Sequence, residues 1–136
     1  MTLKLIYPTL AMIFWIFVVG TVLAFRRKTA FASGAVRPDE VTVSTERYPV
    51  PARLASANFT NQFETPVVFF AIVMIAMETG ATGYVMAILA WLYVATRIVH
   101  TLIHIGPNQL RLRGAVYGVG VIALFCMWLG VLVSVL

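Results

Sequence analysis

The chain has 136 residues, 61% of them hydrophobic and 11% charged, and its mean hydropathy is +0.93. Soluble domains average about 45–50% apolar and about 25% charged residues, and a chain this short has too much surface for its volume to hide the excess. That excludes a soluble enzyme, a disordered segment and a nucleic-acid-binding module, despite a net charge of +5, and the lone Cys126 excludes an intrachain dithiol redox centre. This is a small integral membrane protein.

A helix needs about 20 mostly apolar residues to cross the hydrocarbon. Leu5 to Phe25 supplies 21 uncharged residues, closed by Arg26, Arg27 and Lys28. A signal peptide would have a shorter apolar region and a small-residue cleavage site, so this run reads as a retained first span. Its Pro8 lies near the start, where a missing backbone donor does least harm. The second apolar run, Thr65 to Met77, has only 13 residues. Extending it backward predicts one helix from about Pro51 to Glu78, with a polar first half containing Arg53, Ser56, Asn58, Asn61, Gln62 and Glu64. At 100° per residue, Arg53, Asn61 and Glu64 fall within an arc of about 80°. That polar face must meet protein or water, not lipid.

A third run, Ala81 to Thr96, continues as RIVHTLIHI until Gly106-Pro107-Asn108, a turn signal. The fourth, Gly114 to Leu136, holds 23 uncharged residues. The expectation is an all-α membrane protein of one domain. Its four spans, at about 5–25, 52–78, 81–104 and 113–136, alternate up-down-up-down in a left-handed bundle. The first loop carries Arg26, Arg27, Lys28, Arg37, Arg47 and, at its edge, Arg53; the third carries Arg111 and Arg113; the second carries none. Basic residues favour the cytoplasmic side. Loops one and three are therefore expected in the cytoplasm, with both termini on the far face.

Ionisable groups inside spans are expensive and point to function. Tyr93, Arg97, His100 and His104 are spaced by 4, 3 and 4 residues and form one stripe along the third helix. With Arg53, Asn61 and Glu64 they are expected to frame a basic, polar cavity beside Arg111 and Arg113. Glu64 and Arg97 are expected to pair between helices, each keeping the other charged. The structural reading is that Glu64–Arg97 and Asn61 only hold helices together, and that Arg111 and Arg113 only anchor headgroups. His100 and His104 have the spacing of metal or haem ligands. A closed site needs further ligands, so no metal is expected, and the histidines read better as hydrogen-bonding groups. Gly114-x-x-x-Gly118 matches a helix-packing pattern, but nine glycines make the match unspecific. The first helix lacks the glutamate by which small multidrug exporters resemble one another.

RLASANFTNQFETPVVFFA (Arg53 to Ala71) followed by RIVHTLIHIGPNQLRLRGAVYG (Arg97 to Gly118) resembles the MAPEG superfamily, the membrane-associated proteins in eicosanoid and glutathione metabolism. The similarity is nearest to bacterial members of unassigned activity, through the Asn-x-x-Glu-x-Pro and Arg-x-x-His patterns. The resemblance implies a four-helix subunit assembling as a homotrimer in the bacterial inner membrane, for which the basic-residue asymmetry above makes both termini periplasmic. It implies glutathione as co-substrate between neighbouring subunits, with lipophilic electrophiles or hydroperoxides arriving from the bilayer. Carried over by position, Asn61 and Glu64 match the glutathione-binding motif, Arg97 a third-helix arginine, and Arg111 the arginine that activates the thiol. A guanidinium beside a thiol favours the nucleophilic thiolate.

The chain departs from that pattern in three places. Ala57 stands where enzymatic members carry an arginine, with Arg53 one turn away. His100 and His104 replace two tyrosines that contact glutathione. Pro66 comes one residue early. The leading reading is therefore a glutathione-dependent transferase or peroxidase with Arg111 catalytic. Arg53, Asn61, Glu64, Tyr93, Arg97, His100 and His104 bind the ligand. The alternatives are a non-catalytic protein of the same fold that binds a lipid or a partner subunit, and a metal or haem protein using His100 and His104.

Overall fold

The computed structural model describes residues 3–136, which form five α-helices: α1 (Leu3–Ala32), α2 (Val50–Thr60), α3 (Thr65–Thr79), α4 (Tyr84–Ile105) and α5 (Leu110–Val135). Short 3-10 turns occupy Pro38–Val41 and Asn61–Phe63. By length and composition α1, the α2–α3 pair, α4 and α5 are the four segments able to span a membrane. Four spans were legible; their ends were less so.

The apolar run predicts a first helix ending near Phe25, yet α1 continues through Arg26, Arg27 and Lys28 to Ala32. Arg, Lys and Ala are good helix formers, so a change of hydropathy there does not stop the helix. Gly34 does, at φ 69°. Its N–H donates to Phe31 O at 3.0 Å and the Ala35 N–H to Ala30 O at 3.1 Å, the paired bonds of a glycine-terminated helix. The following loop is not loose. Val36 and Tyr48 are buried with Ala30 and Ala52 in a small apolar cluster under it.

The second correction matters more. The sequence predicts one helix from Pro51 to Glu78; the chain is broken at Asn61–Glu64. Proline has no N–H for the carbonyl four residues back and its ring crowds that carbonyl. For Pro66 that residue is Gln62. The backbone yields by tightening into the 3-10 turn at Asn61–Phe63 and leaving helical geometry at Glu64 (φ −96°, ψ −100°). α4 likewise starts at Tyr84 instead of Ala81, because Gly80 at φ 76° ends α3 and Gly83 leads into α4.

α4 is the central element, packed against α1, α2 and α5, while α3 lies on α5 and α1. Lys4 of α1 sits over Tyr84 at the start of α4, and Arg26 of α1 donates to Ile105 O at its end, 3.2 Å away. α1 and α4 therefore lie side by side in the same sense. Arg26 also donates to Pro51 O at 3.0 Å, and Arg27 to Ser56 Oγ at 3.1 Å, with its guanidinium 5.3 Å from the Tyr48 ring. Two arginines of the basic cluster thus lace α1 to α2 and α4; Lys28 is exposed.

The apolar core is built from Leu5 and Met12 of α1, Phe69, Val73 and Ala76 of α3, Ala90 and Tyr93 of α4, and Ala123 and Met127 of α5. Phe69 and Tyr93 stack with centroids 4.8 Å apart. Between lipids such contacts gain little from leaving water, so close packing and hydrogen bonds must hold the helices together. The closest approach is at Gly120, where an added Cβ would lie 2.7 Å from Thr96 Oγ1. Around Gly114 and Gly118 there is open space within the subunit, so that glycine pair is not what packs α4 on α5. Gly120→Ala is expected to lower unfolding stability by about 1–3 kcal/mol through overpacking. Gly114→Ala should leave stability unchanged or raise it by up to about 1 kcal/mol. Denaturant unfolding in mixed micelles measures both.

Candidate functional site

The two motifs that stood out in the sequence meet in space at the break between α2 and α3. In a continuous helix the Asn61 carbonyl would accept from the Thr65 N–H. With the ladder interrupted, the Arg97 guanidinium donates to Asn61 O instead, at 3.1 Å. One turn away on the same stripe, the Tyr93 hydroxyl donates to Thr65 Oγ1 at 3.0 Å. Thr101, one turn in the other direction, donates to Asn58 Oδ1 at 3.3 Å and accepts from the Trp15 indole N–H at 3.3 Å. Gln62 closes the set by donating from its amide to Asn58 O at 3.0 Å. Three successive turns of α4 are thus fastened across the break.

These groups are deeply buried: Tyr93 is 1% exposed, Arg97 2%, Asn58 and Gln62 1% each. His100 and His104 are buried too, their rings 5.6 Å apart edge-to-face, with Tyr117 of α5 5.8 Å from His100. Several polar atoms in this layer have no protein partner, namely Arg97 Nε, Asn58 Nδ2, Gln62 Oε1 and Nδ1 of both histidines. Buried polar atoms without partners are uncommon and costly. This layer is polar in excess of what the subunit itself satisfies.

The remaining candidates lie elsewhere. Arg53, Glu64 and Arg111 are exposed and Asn61 is half-buried. The eight candidate site residues therefore divide into a buried stripe of Tyr93, Arg97, His100 and His104 and a more exposed set of Arg53, Asn61, Glu64 and Arg111 within a single chain. The Glu64–Arg97 pair is not formed. Among the described residues the one ion pair is Arg37–Asp39, exposed, at 3.1 Å. Glu64 ends the 3-10 turn with its side chain outward, and the backbone of Asn61 takes the guanidinium. Arg113 donates to Asn108 Oδ1 at 2.7 Å across the α4–α5 turn. Among the described residues no group of three or more His, Cys, Asp or Glu is placed to hold a metal ion. Cys126 is exposed on α5.

Asn58, Gln62 and Thr101 were not singled out from the sequence. A signal existed: Asn58 lies three residues after Ala55 on the face marked by the small residues Ala52 and Ala55, and small residues mark packed faces in membrane helices.

Because Arg97 is held by a backbone carbonyl and Glu64 faces outward, their substitutions should differ sharply. Arg97→Met removes the side-chain donor that ties α4 to the half-buried Asn61 carbonyl, at about 1–3 kcal/mol for a hydrogen bond from a charged group. Glu64→Ala should change subunit stability by less than about 0.5 kcal/mol. Equal losses for the two variants, read by unfolding in mixed micelles, would contradict this assignment.

The family model described as the MAPEG family matches residues 5–133. Comparison with curated proteins and with solved structures returned no match. The match extends over nearly the whole chain, and the broken second span with its Asn61, Glu64 and Pro66 and the Arg97 stripe lie inside it. With its four apolar spans, the chain belongs to the MAPEG family of membrane proteins.

Proposed function

We propose that this protein is a glutathione-dependent transferase or peroxidase of the bacterial inner membrane, acting on lipophilic electrophiles or hydroperoxides as a homotrimer. The four spans alternate in direction as a left-handed bundle. The observation that carries this reading is the exposure of Glu64. It sits in the middle of the second span, beside exposed Phe63, Val67 and Val68. A carboxylate facing acyl chains is costly, and such groups face a bundle interior or a cavity. A neighbouring subunit and a polar ligand supply that environment. Arg53 and Arg111 are likewise exposed and free to meet a ligand with two carboxylates.

In this reading Asn61, Glu64 and Arg53 hold the tripeptide, and Tyr93 and Arg97 keep the broken span in shape beneath it. His100 and His104 line its inner side. Arg111 stabilises the thiolate. The thiol proton leaves to solvent, and the sulfur lone pair forms a C–S bond to an electrophilic carbon as a leaving group departs with its bonding pair, or as a conjugated double bond shifts and takes a proton from solvent. With a hydroperoxide it attacks the terminal oxygen, the O–O bond breaks, and the other oxygen leaves as the alcohol after taking a proton from solvent; a second glutathione thiol then attacks the sulfenic sulfur, giving the disulfide and water. A non-catalytic lipid- or partner-binding role is favoured by one observation: His100 and His104, at the family's tyrosine positions, are packed inside the subunit.

Ultraviolet difference spectra of the solubilised protein with glutathione separate the two. The catalytic reading expects a thiolate band at neutral pH. In Arg111→Ala it should fall by about tenfold or more, since an adjacent cation lowers a pKa by about 1–3 units. No thiolate band in the wild-type protein favours the non-catalytic role. For orientation, a reporter fused after Leu136 is expected to be periplasmic and one inserted near Asp39 cytoplasmic. A cytoplasmic signal at Leu136 reverses the assignment.

A further inference from the structure

At the opposite end of the molecule from the basic loops, one lysine is surrounded by aromatic rings. Lys4 is the sole Lys or Arg at this end; the other nine run from Arg26 to Arg113. Its ammonium sits 3.2 Å from the centroid of the Tyr84 ring. Among the described residues it has no carboxylate partner, although Glu78 ends α3 at the same side. Tyr84 is the first residue of α4, whose N-cap Gly83 offers no side-chain cap. The unpaired N–H groups of that first turn add to the positive potential.

Lys4, Tyr7, Tyr84, Ala87, Ile88 and Trp91 line an open groove of about 420 Å³. On α4 the lining residues follow the i, i+3, i+4, i+7 spacing of one helix face, so the groove runs about 10 Å from the helix start toward the membrane centre. Tyr7, Tyr84 and Ile88 are 61%, 71% and 66% exposed. The groove therefore has a cationic, hydroxyl-bearing head at the depth of lipid headgroups and an apolar tail directed down the bilayer. That is the shape and polarity of an amphiphile.

We propose that this groove binds an anionic phospholipid of the leaflet at this end of the bundle. The phosphate meets the Lys4 ammonium, the Tyr84 hydroxyl and the first turn of α4; one acyl chain lies along Ala87, Ile88 and Trp91. A cation already seated on an aromatic face keeps its outward N–H groups for an anion, and cation–π contacts strengthen where water is scarce. Interfacial tyrosines suit the headgroup region for the same mixed character. Neither the ligand nor the residues are shared with the glutathione reading.

The test uses the full chain in nanodiscs containing brominated-acyl phosphatidylglycerol or brominated-acyl phosphatidylcholine at equal mole fraction. The Trp91 share of the fluorescence is taken as the difference from Trp91→Phe. Phosphatidylglycerol is expected to associate about fivefold more strongly at Trp91, the worth of roughly one lysine at a membrane surface. Lys4→Gln should abolish that preference, while Lys4→Arg and Lys28→Gln keep it. Excess inorganic phosphate should not compete. Equal quenching by the two lipids means annular lipid only, absence of quenching means a second copy covers the stripe, and competition by phosphate means a plain anion site. Each of these overturns the proposal, as does a preference that survives Lys4→Gln. Should Lys4→Gln fail to assemble, the wild-type comparison of the two lipids and the phosphate competition still decide.

Discussion

A backbone that breaks its helix inside a bilayer must find new partners for the carbonyls it frees, because no water is there to take them. In this chain the break is imposed by Pro66, and the partner is Arg97. Its guanidinium on Asn61 O replaces the backbone bond that a continuous helix would have made. Much of the surrounding architecture follows. A buried arginine needs a polar environment, and that environment is the layer of Asn58, Gln62, Thr101, His100 and His104. α4 supplies most of it because three successive turns of α4 face the break. The apolar core is displaced toward the other end of the bundle, with Phe69 stacked on Tyr93 at the boundary between the two regions.

The same break sets what faces outward. A continuous second span would carry Asn61 and Glu64 on one regular face. The turn leaves the Asn61 carbonyl directed at α4 and the Glu64 side chain outside the subunit. The family motif Asn-x-x-Glu-x-Pro thus has two physical halves. The proline and the asparagine backbone belong to the internal latch; the glutamate side chain faces out of the subunit.

The spans were legible because hydropathy alone sets them, and the stripe of Tyr93, Arg97, His100 and His104 because a single unbroken helix keeps its period. The α2–α3 region was not. An arc computed at 100° per residue assumes one continuous helix, and Arg53 and Glu64 lie on opposite sides of a break. The Glu64–Arg97 pairing failed for the same reason: opposite charge at similar depth says nothing of the backbone acceptor that a break exposes. The end of α1 was missed because a membrane span ends where hydropathy changes, whereas a helix ends where backbone geometry requires it, here at Gly34. Asn58 and Gln62 stand out in the sequence only as polar residues of the second span, because inward and outward polar residues look alike until the packed face is known.

The central claim is that Arg97 is required because Pro66 opens the second span. A double-mutant cycle of Pro66→Ala and Arg97→Met, read as unfolding free energies in mixed micelles, tests it directly. If the break that proline imposes is what opens the Asn61 carbonyl to arginine, removing the proline makes the arginine less necessary. The loss on Arg97→Met should then be smaller in the Pro66→Ala background by about 1 kcal/mol or more, the scale of coupling between groups that share one network. Losses that add to within about 0.5 kcal/mol, as for independent sites, would contradict the account.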